Sequence, residues 1–418
     1  MEQTQHWFFW LFLAFFLISH TYEWSLDVLN LKEIKRHISK IPELFSNMIT
    51  FEDYQKSITY TQAKTKFGWY KTLFELTLLW VFILGGWFGK FDQILANSFA
   101  TGSIWHQVSY PFAIGAIFYL AGLPFTIYYQ FVLEERFGFN RTTAKTFILD
   151  QIKSGFLAVL LGVPLLMLIF KTVSWLGDYW WLGTWGLVMF FQFLVAALFP
   201  VLFAPLFYKF TPLEEGELKN RIEELAQKIK FKMMGVFTID GSKRSSHSNA
   251  FFAGMGKARR IVLFDTLLKQ LNQDEIIAVL AHEMGHSQKK HIQKSLILSA
   301  SMTLLGLWIL SLLLKWPPFF QTFGITTPSL HTGLVIFGLI SSVFTFFLTP
   351  VFNLFSRKNE YEADEFSVQT VKDPESMISS LVKLSKENLS NLTPHPWYSF
   401  YHYSHPTTLE RAEAIKKI

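Results

Sequence analysis

The chain has 418 residues, a formal net charge of +6 and no cysteine, and half of its residues are hydrophobic. A soluble chain of this length would form two or three domains, but phenylalanine alone occurs 45 times and charged residues make up only 17%. This composition predicts lipid-facing helices. The absence of cysteine excludes disulfides, thiolate metal sites and cysteine nucleophiles, and the modest charge suits a membrane surface better than a nucleic-acid groove.

Apolar stretches recur along the chain and predict seven membrane-spanning helices. The first starts at Trp7 and continues in a more amphipathic form toward Leu31, and residues 1–6 lack the Lys or Arg that a signal peptide carries. The other six each approach or exceed the about 20 residues that cross a bilayer. They lie at 72–89, 107–131, 154–170, 180–208, 295–314 and 332–355. The predicted fold class is therefore a mostly α, multi-span membrane protein.

Basic residues in the connecting segments predict an orientation in the membrane. The segments after the second, fourth and sixth spans contain one lysine each, namely Lys90, Lys171 and Lys315, and most other Lys and Arg residues lie on the opposite side. Cytoplasmic loops are enriched in basic residues, so we expect the amino terminus outside and the carboxyl terminus in the cytoplasm. The chain has no obvious long insertion, which favours a bacterial inner membrane over the endoplasmic reticulum.

One soluble insertion interrupts the spans. Within it, short β-like runs predict strands at 236–239, 249–253 and 260–264, with a hairpin turn at 254–257. An edge strand there can pair with an extended peptide, and the alternative is a purely structural hairpin. The predicted regions are spans one to five at 1–208, the insertion with a small β-sheet at 209–294, spans six and seven at 295–355, and a cytoplasmic helical part at 356–418.

The insertion also contains a histidine motif. Gln273–His291 is predicted to form one helix that Asn272 caps, and positions four residues apart share one face of a helix. His282 and His286 therefore have the spacing of two nitrogen ligands of one zinc ion, with Glu283 beside them. A chance match of this pattern is expected in about one chain of this length in a hundred.

A catalytic zinc site needs a third protein ligand. Lys289 and Ile292 stand where a metzincin carries Gly and His, and His291 falls off the ligand face, which leaves it as a helix-end or supporting residue. A glutamate from a separate helix is the alternative. Glu360, at the cytoplasmic end of the seventh span, is the predicted third ligand, and Glu362 is its rival.

Three further residues can complete such a site. Asp364 lies four residues after Glu360 on the same helix face, where it can accept a hydrogen bond from the far nitrogen of a ligating histidine. Near the carboxyl end, His405 is a candidate donor to the oxyanion, and Arg411 can bind substrate or hold a carboxylate. The alternative for His402 and His405 is a surface position in an aromatic patch.

Taken together, these residues resemble those of the type I CAAX prenyl proteases, which are integral-membrane zinc metallopeptidases. The resemblance covers most of the chain, because the seven spans, the insertion and four motifs occur in the same order. The motifs are His247-Ser-Asn249-Ala250, His282-Glu-Met-Gly-His286, Asn359-Glu360-Tyr-Glu-Ala-Asp364, and Ser404-His405-Pro406 with Arg411.

The resemblance implies a helical barrel around a large chamber, with the active site facing inward and one zinc ion per chain. The residues with implied roles are the zinc ligands His282, His286 and Glu360, the catalytic carboxylate Glu283, the substrate-strand residues Asn249 and Ala250, and the substrate or transition-state contacts His405 and Arg411. Phe251 stands where the family often has a tyrosine, so a hydroxyl contact is not expected there.

Three functions compete. The first is zinc-dependent hydrolysis of a peptide bond near the carboxyl terminus of a prenylated CAAX substrate, with Glu283 moving the proton from water to the leaving amine. The second is a quality-control peptidase with broader substrates, and the third is a non-catalytic transporter or scaffold stabilised by zinc. An intact Glu283 disfavours the third, because a structural zinc site has no use for a base. The expected partners are a peptide or protein substrate and the lipid bilayer, without nucleic acid.

Overall fold

The computed structural model describes residues 7–254 and 259–418. Most of these residues are helical. The helices are α1 (Trp7–Arg36), α2 (Phe51–Leu84), α3 (Trp87–Phe99), α4 (Ile104–Tyr128), α5 (Glu135–Phe137), α6 (Ala144–Leu176), α7 (Trp180–Leu198), α8 (Ala204–Phe207), α9 (Glu217–Lys228), α10 (Asp265–Gln270), α11 (Gln273–Gln288), α12 (His291–Leu313), α13 (Pro317–Thr322), α14 (Leu330–Thr345), α15 (Thr349–Val371), α16 (Pro374–Glu387), α17 (Pro396–His402) and α18 (Thr408–Ile415). The strands are β1 (Phe210–Pro212), β2 (Gly235–Ile239), β3 (Ala250–Ala253) and β4 (Arg260–Phe264).

The membrane-spanning capacity lies in long apolar helical runs, so the chain is a multi-pass membrane protein. In the described part of the chain, five runs are long and apolar enough to cross a bilayer: Phe51–Leu84, Ile104–Phe137, Ala144–Phe207, His291–Leu313 and Leu330–Val371. The run of 64 residues at Ala144–Phe207 contains the fourth and fifth predicted spans, which a 3-10 turn at Gly177–Tyr179 separates. Helix α1 is not among the five, but it is anchored in an aromatic cluster where the Phe12 ring lies 5.5 Å from that of Phe323.

Helix α2 joins a polar half to an apolar half. The sequence predicted a span at 72–89 after a polar segment, and the structure shows one continuous helix from Phe51 onward. Thr50 caps its start by accepting a hydrogen bond from the Asp53 N–H at 3.1 Å. The helix ends before Gly86, whose φ of 63° is a conformation that glycine adopts without strain. The polar and apolar halves of α2 therefore form one unbroken helix.

The insertion contains a mixed sheet with the order β1-β2-β4-β3. The three predicted strands are confirmed, with β2 parallel to β4 and β3 antiparallel to β4, where Ala250 faces Leu263. Of the predicted turn at 254–257, residues 255–257 lie outside the described residues. The sequence did not predict β1, which has three residues and ends in a proline. Strand β3 lies at the edge of the sheet, where one side of its backbone can pair with another chain.

The helix that carries the histidine motif is shorter than the sequence predicted. Asn272 and Glu275 form a reciprocal capping box at its start, with N–H to oxygen distances of 2.9 and 2.8 Å. The helix ends at Gln288, Lys290 adopts a left-handed conformation with φ of 59°, and α12 begins at His291. The prediction of one helix to His291 is therefore wrong. Neither glycine nor proline marks this break, so the sequence pattern does not reveal it.

Candidate metal centre

Helices α11 and α15 bring the three predicted ligands together. His282 Nε2 lies 3.2 Å from His286 Nε2, and the Glu360 carboxylate lies 3.4 Å from the first nitrogen and 3.3 Å from the second. A tetrahedral zinc ion with bonds of about 2.0–2.1 Å separates its ligand atoms by about 3.3 Å. Glu360 Oε2 is buried and lacks a hydrogen-bond partner among the described residues. The spacing, the donor types and the unsatisfied oxygen all fit one bound metal ion.

The glycine inside the motif lets the two helices approach closely. A Cβ atom on Gly285 would lie 3.1 Å from the Phe366 side chain and 3.2 Å from the Ala363 backbone. A buried hydrogen bond from Ser367 Oγ to the Ala278 carbonyl, at 2.7 Å, also ties α15 to α11. Because Glu360 is on α15 and both histidines are on α11, this contact sets the separation of the ligands.

Replacing Gly285 with Ala is expected to lower kcat/KM by about tenfold or more, because small misplacements of catalytic groups are costly. The added methyl group forces α15 away from α11 by a few tenths of an ångström. The measurement is kcat/KM at saturating zinc together with zinc affinity. The matched control is Gly115→Ala on α4, where an added Cβ meets no atom within 4 Å. Wild-type values for Gly285→Ala would show that the helix contact does not set the ligand geometry.

A carboxylate and a guanidinium stand behind His282. Asp364 Oδ1 lies 2.8 Å from His282 Nδ1, and Arg411 donates to both Asp364 oxygens, from Nε at 2.8 Å and from Nη2 at 2.5 Å. Burial lowers the pKa of His282, but its hydrogen bonds to Asp364 and Glu360 outweigh burial and raise the pKa above its ordinary value. Of the two roles considered for Arg411, the geometry favours holding a carboxylate. The Asp364 contact fixes the ring so that Nε2 points to the metal position.

A second pair of residues stands behind His286. His291 Nδ1 lies 3.0 Å from His286 Nδ1, and His291 Nε2 lies 3.0 Å from the Glu362 carboxylate. The helix break before His291 makes this contact possible, and it gives His291 the place of a residue that supports a ligand, one of the two places that the sequence left open for it. Glu362 points away from the metal position, because residues two apart on a helix project in nearly opposite directions. Sequence reasoning missed this pair, although the helix rotation between positions 360 and 362 argues against Glu362 as a ligand.

Glu283 borders the same cavity as the three ligands. This cavity has a volume of about 490 Å³. The Glu283 carboxylate has no hydrogen bond or ion pair to a side chain in the described residues, and burial raises its pKa above the ordinary value. A carboxylate whose pKa moves toward neutrality is better suited to exchange protons with a reacting group. The side chain can therefore act as a base beside the metal position.

His405 faces the ligands from the carboxyl end of the chain. Its side chain is 64% exposed and lines the cavity, with Nε2 3.5 Å from Glu360 Oε1. Nδ1 lies 2.9 Å from Ser404 Oγ, and a hydrogen bond donated by that hydroxyl leaves Nε2 carrying the proton. Desolvation lowers the pKa of His405, and in the tautomer that accepts from Ser404 the neutral ring has an N–H available for the cavity. His402 lines a neighbouring cavity and lies outside the cavity that contains the ligands.

The edge strand lies along the opposite wall. Asn249 and Ala250 line the cavity with the ligands, whereas Phe251 points to the other face of the sheet, 6.3 Å from the Phe264 ring. His247 fixes the start of the strand. Its partners are Asn388 Oδ1 at 2.7 Å, Glu134 Oε2 at 3.3 Å and the stacked Phe139 ring at 4.0 Å.

Asp92, His106 and His331 form another buried group within the described residues that could hold a metal ion. Asp92 Oδ1 lies 2.7 Å from His331 Nε2 and 3.0 Å from His106 Nε2, which are hydrogen-bond lengths. The Gly102 N–H donates to His106 Nδ1 at 3.2 Å, so His106 Nε2 carries the proton and cannot ligate a metal. This group is therefore a hydrogen-bonded clamp between α3, α4 and α14.

Replacing Asp92 with Asn is expected to leave the metal content at one ion per chain, because the clamp needs no metal. The substitution replaces one carboxylate oxygen by an NH₂ group and removes the negative charge, which weakens the hydrogen bonds from the two histidines and should lower the melting temperature. Metal analysis and thermal unfolding of the purified variant test this expectation. Loss of one of two metal equivalents would identify the group as a second metal site.

Comparison with known proteins assigns most of the chain to one family. A family model described as the CAAX prenyl protease N-terminal region, with five membrane helices, matches residues 30–209, and the model of peptidase family M48 matches residues 212–418. The chain is 35% identical over 412 residues to CAAX prenyl protease 1 homolog of Arabidopsis thaliana, covering 96% of each protein. It is 37% identical over 406 residues to CAAX prenyl protease 1 of Saccharomyces cerevisiae, covering 90% of this chain and 88% of the yeast protein.

A solved structure shares the fold. The crystal structure of S. mikatae Ste24p superposes with a TM-score of 0.90 at 34% identity, covering 98% of this chain and 99% of that protein. The small mixed sheet and the membrane helices are thus part of a shared architecture. The chain is a membrane metallopeptidase and belongs to the CAAX prenyl proteases of peptidase family M48.

Proposed function

We propose that the chain is a zinc-dependent endopeptidase that hydrolyses peptide bonds near the carboxyl terminus of prenylated CAAX-type proteins. One observation carries this proposal: three ligand atoms at tetrahedral spacing share a cavity with Glu283 and with an edge strand. The names of the relatives supply the substrate class, because they are CAAX prenyl proteases.

In this proposal, His282, His286 and Glu360 hold one zinc ion per chain. The chemistry that zinc would supply when held by these residues is Lewis acidity toward a water molecule and the scissile carbonyl. Glu283 takes a proton from water, and its raised pKa suits the later return of that proton to the leaving amine. The Glu283 carboxylate can accept and return the proton because it lies beside the metal ligands and is not itself a ligand.

The remaining site residues position the substrate and the ligands. The open edge of β3, which starts at Ala250 next to Asn249, pairs with an extended peptide and lays the scissile bond along the cavity wall. His405 donates its Nε2–H to the oxyanion that develops on the attacked carbonyl. Asp364 and Arg411 hold the His282 ring.

The proposal includes seven membrane helices around a chamber and the four regions 1–208, 209–294, 295–355 and 356–418. The five apolar runs, the turn inside the longest run and the anchored α1 support seven helices. Adjoining cavities of about 490 and 680 Å³ support an internal chamber. The outside amino terminus and cytoplasmic carboxyl terminus stay predictions. The location in a bacterial inner membrane also stays a prediction. The relatives named above come from a plant and a yeast and do not support it.

The test is hydrolysis of a farnesylated CAAX peptide by the purified enzyme, compared with the same peptide without the prenyl group. We expect release of the carboxyl-terminal tripeptide from the farnesylated peptide, faster than from the other, and its loss with a zinc chelator. Equal rates would favour a quality-control peptidase with broader substrates. Failure to cleave either peptide would contradict the proposed function.

A further inference from the structure

A polar cavity of about 680 Å³ adjoins the cavity that contains the metal ligands. Its wall is formed by α1, the polar half of α2 and the segments around α17. The residues that border both cavities are Asn388, Ser390, His405, Pro406 and Thr408. His405 is one of these shared residues and also faces Glu360. A substrate lying across the metal ligands can therefore extend past His405 into the polar cavity.

One cation lines this polar cavity. Among the described lining residues, Lys64 of α2 is the only Lys or Arg. Its ammonium lies 4.8 Å above the Tyr60 ring, and the described chain places no carboxylate within 4.0 Å of it. The nearby Glu134 carboxylate is already bound, by the Tyr60 hydroxyl at 2.6 Å and beside His247 at 3.3 Å. Lys64 thus presents N–H donors to the cavity, while Glu134, the carboxylate that acts on it electrostatically, lies beyond ion-pair distance.

Asp27 and Arg411, two other charged residues of these cavities, are both engaged. Asp27, which lines the polar cavity, accepts a hydrogen bond from Trp69 Nε1 at 2.7 Å. Arg411, the only Lys or Arg that lines the ligand cavity in the described chain, is held by two hydrogen bonds to Asp364. An anion that enters from the site therefore meets one available cation, which is Lys64.

The proposed substrate brings such an anion. Hydrolysis near a carboxyl terminus leaves a short segment on the product side, and three extended residues reach about 10 Å. The α-carboxylate at its end must enter the protein, where a carboxylate without a partner is costly. A lysine facing the cavity offsets that cost by a charge-assisted hydrogen bond.

We propose that Lys64 binds the carboxyl-terminal carboxylate of the prenylated substrate when its terminal segment is removed. This inference rests on the proposed function as an endopeptidase of prenylated carboxyl termini. It adds a substrate contact on α2 to the site residues on α11, α15 and β3.

The test compares a farnesylated CAAX peptide with its carboxyl-terminal amide. For the wild-type enzyme, amidation should lower kcat/KM by about ten- to hundredfold, the range for a hydrogen bond to a charged group. Lys64→Met should lose a similar factor on the free acid and no longer distinguish the acid from the amide. Lys64→Arg should restore part of the preference.

The matched control is Lys66→Met. Lys66 is two residues away on the same helix and lines a separate, largely apolar cavity of about 460 Å³. This variant should keep the wild-type preference, and unchanged zinc content and melting temperature should show that Lys64→Met is folded. If Lys64→Met still cleaves the peptides, and the ratio of kcat/KM for the acid to kcat/KM for the amide stays at the wild-type value, this inference alone is overturned. Failure of the wild-type enzyme to cleave any peptide would overturn the proposed function and the inference with it.

Discussion

Replacing Glu283 with Gln is expected to lower kcat by about 10²- to 10⁴-fold while the protein keeps its full metal content. The amide has nearly the same shape as the carboxylate but cannot accept a proton at neutral pH. Glu283 lines the cavity beside the three converging side chains and is not one of them, so metal binding does not depend on it. Turnover of a farnesylated peptide and metal analysis of the same preparation check both parts.

The control for this substitution is Glu365→Gln on α15, an exposed carboxylate that accepts a hydrogen bond from Gln369. This variant should keep wild-type turnover, because its side chain does not line the ligand cavity. Near-normal turnover of Glu283→Gln would assign the proton transfer to another group. Loss of metal from the same variant would instead mean that Glu283 takes part in ligation.

Replacing Glu360 with Ala is expected to abolish both metal binding and hydrolysis. Two histidines remain, and a tetrahedral site with two protein ligands binds zinc weakly. The change also leaves Arg411, whose Nη1 lies 3.6 Å from the Glu360 carboxylate, without one of its two nearby negative charges. The metal-to-protein ratio after dialysis is the measurement, with hydrolysis at saturating zinc as the second readout.

The comparison variant is Glu362→Ala. It should keep one metal ion per chain but bind it about 10- to 100-fold more weakly, the range for groups that orient a ligand. The reason is that Glu362 reaches the metal position only through His291 and His286. Full metal content in Glu360→Ala, together with loss of the metal in Glu362→Ala, would show that Glu362 is the third ligand and Glu360 is not.

The local part of the site could be predicted from the sequence because it depends on helix geometry alone. Residues four apart share one face of a helix, which predicts that His282 lies beside His286 and Glu360 beside Asp364. The capping preference of asparagine predicts the helix start at Asn272. The membrane helices could be predicted from composition, since long apolar runs have few other uses. Three of the four strands, β2, β3 and β4, could be predicted from their β-branched and aromatic residues.

The contacts between distant segments could not be predicted in this way. The bond between His286 and His291 depends on a helix break at Lys290 that no glycine or proline marks. The position of Glu134 beside His247 joins segments 113 residues apart. Lys64 looks like an ordinary basic residue of a polar segment until α2 is seen to place it in the polar cavity. Such contacts arise from packing, which the local pattern does not contain.

X-ray diffraction from crystals of the wild-type enzyme, recorded on both sides of the zinc absorption edge, shows directly whether zinc lies between the three ligands. We expect one anomalous peak per chain, among His282 Nε2, His286 Nε2 and the Glu360 carboxylate, whose mutual distances of 3.2–3.4 Å leave a position for the ion. A peak at Asp92, His106 and His331 instead, or no zinc signal in an enzyme that still hydrolyses peptide, would contradict it.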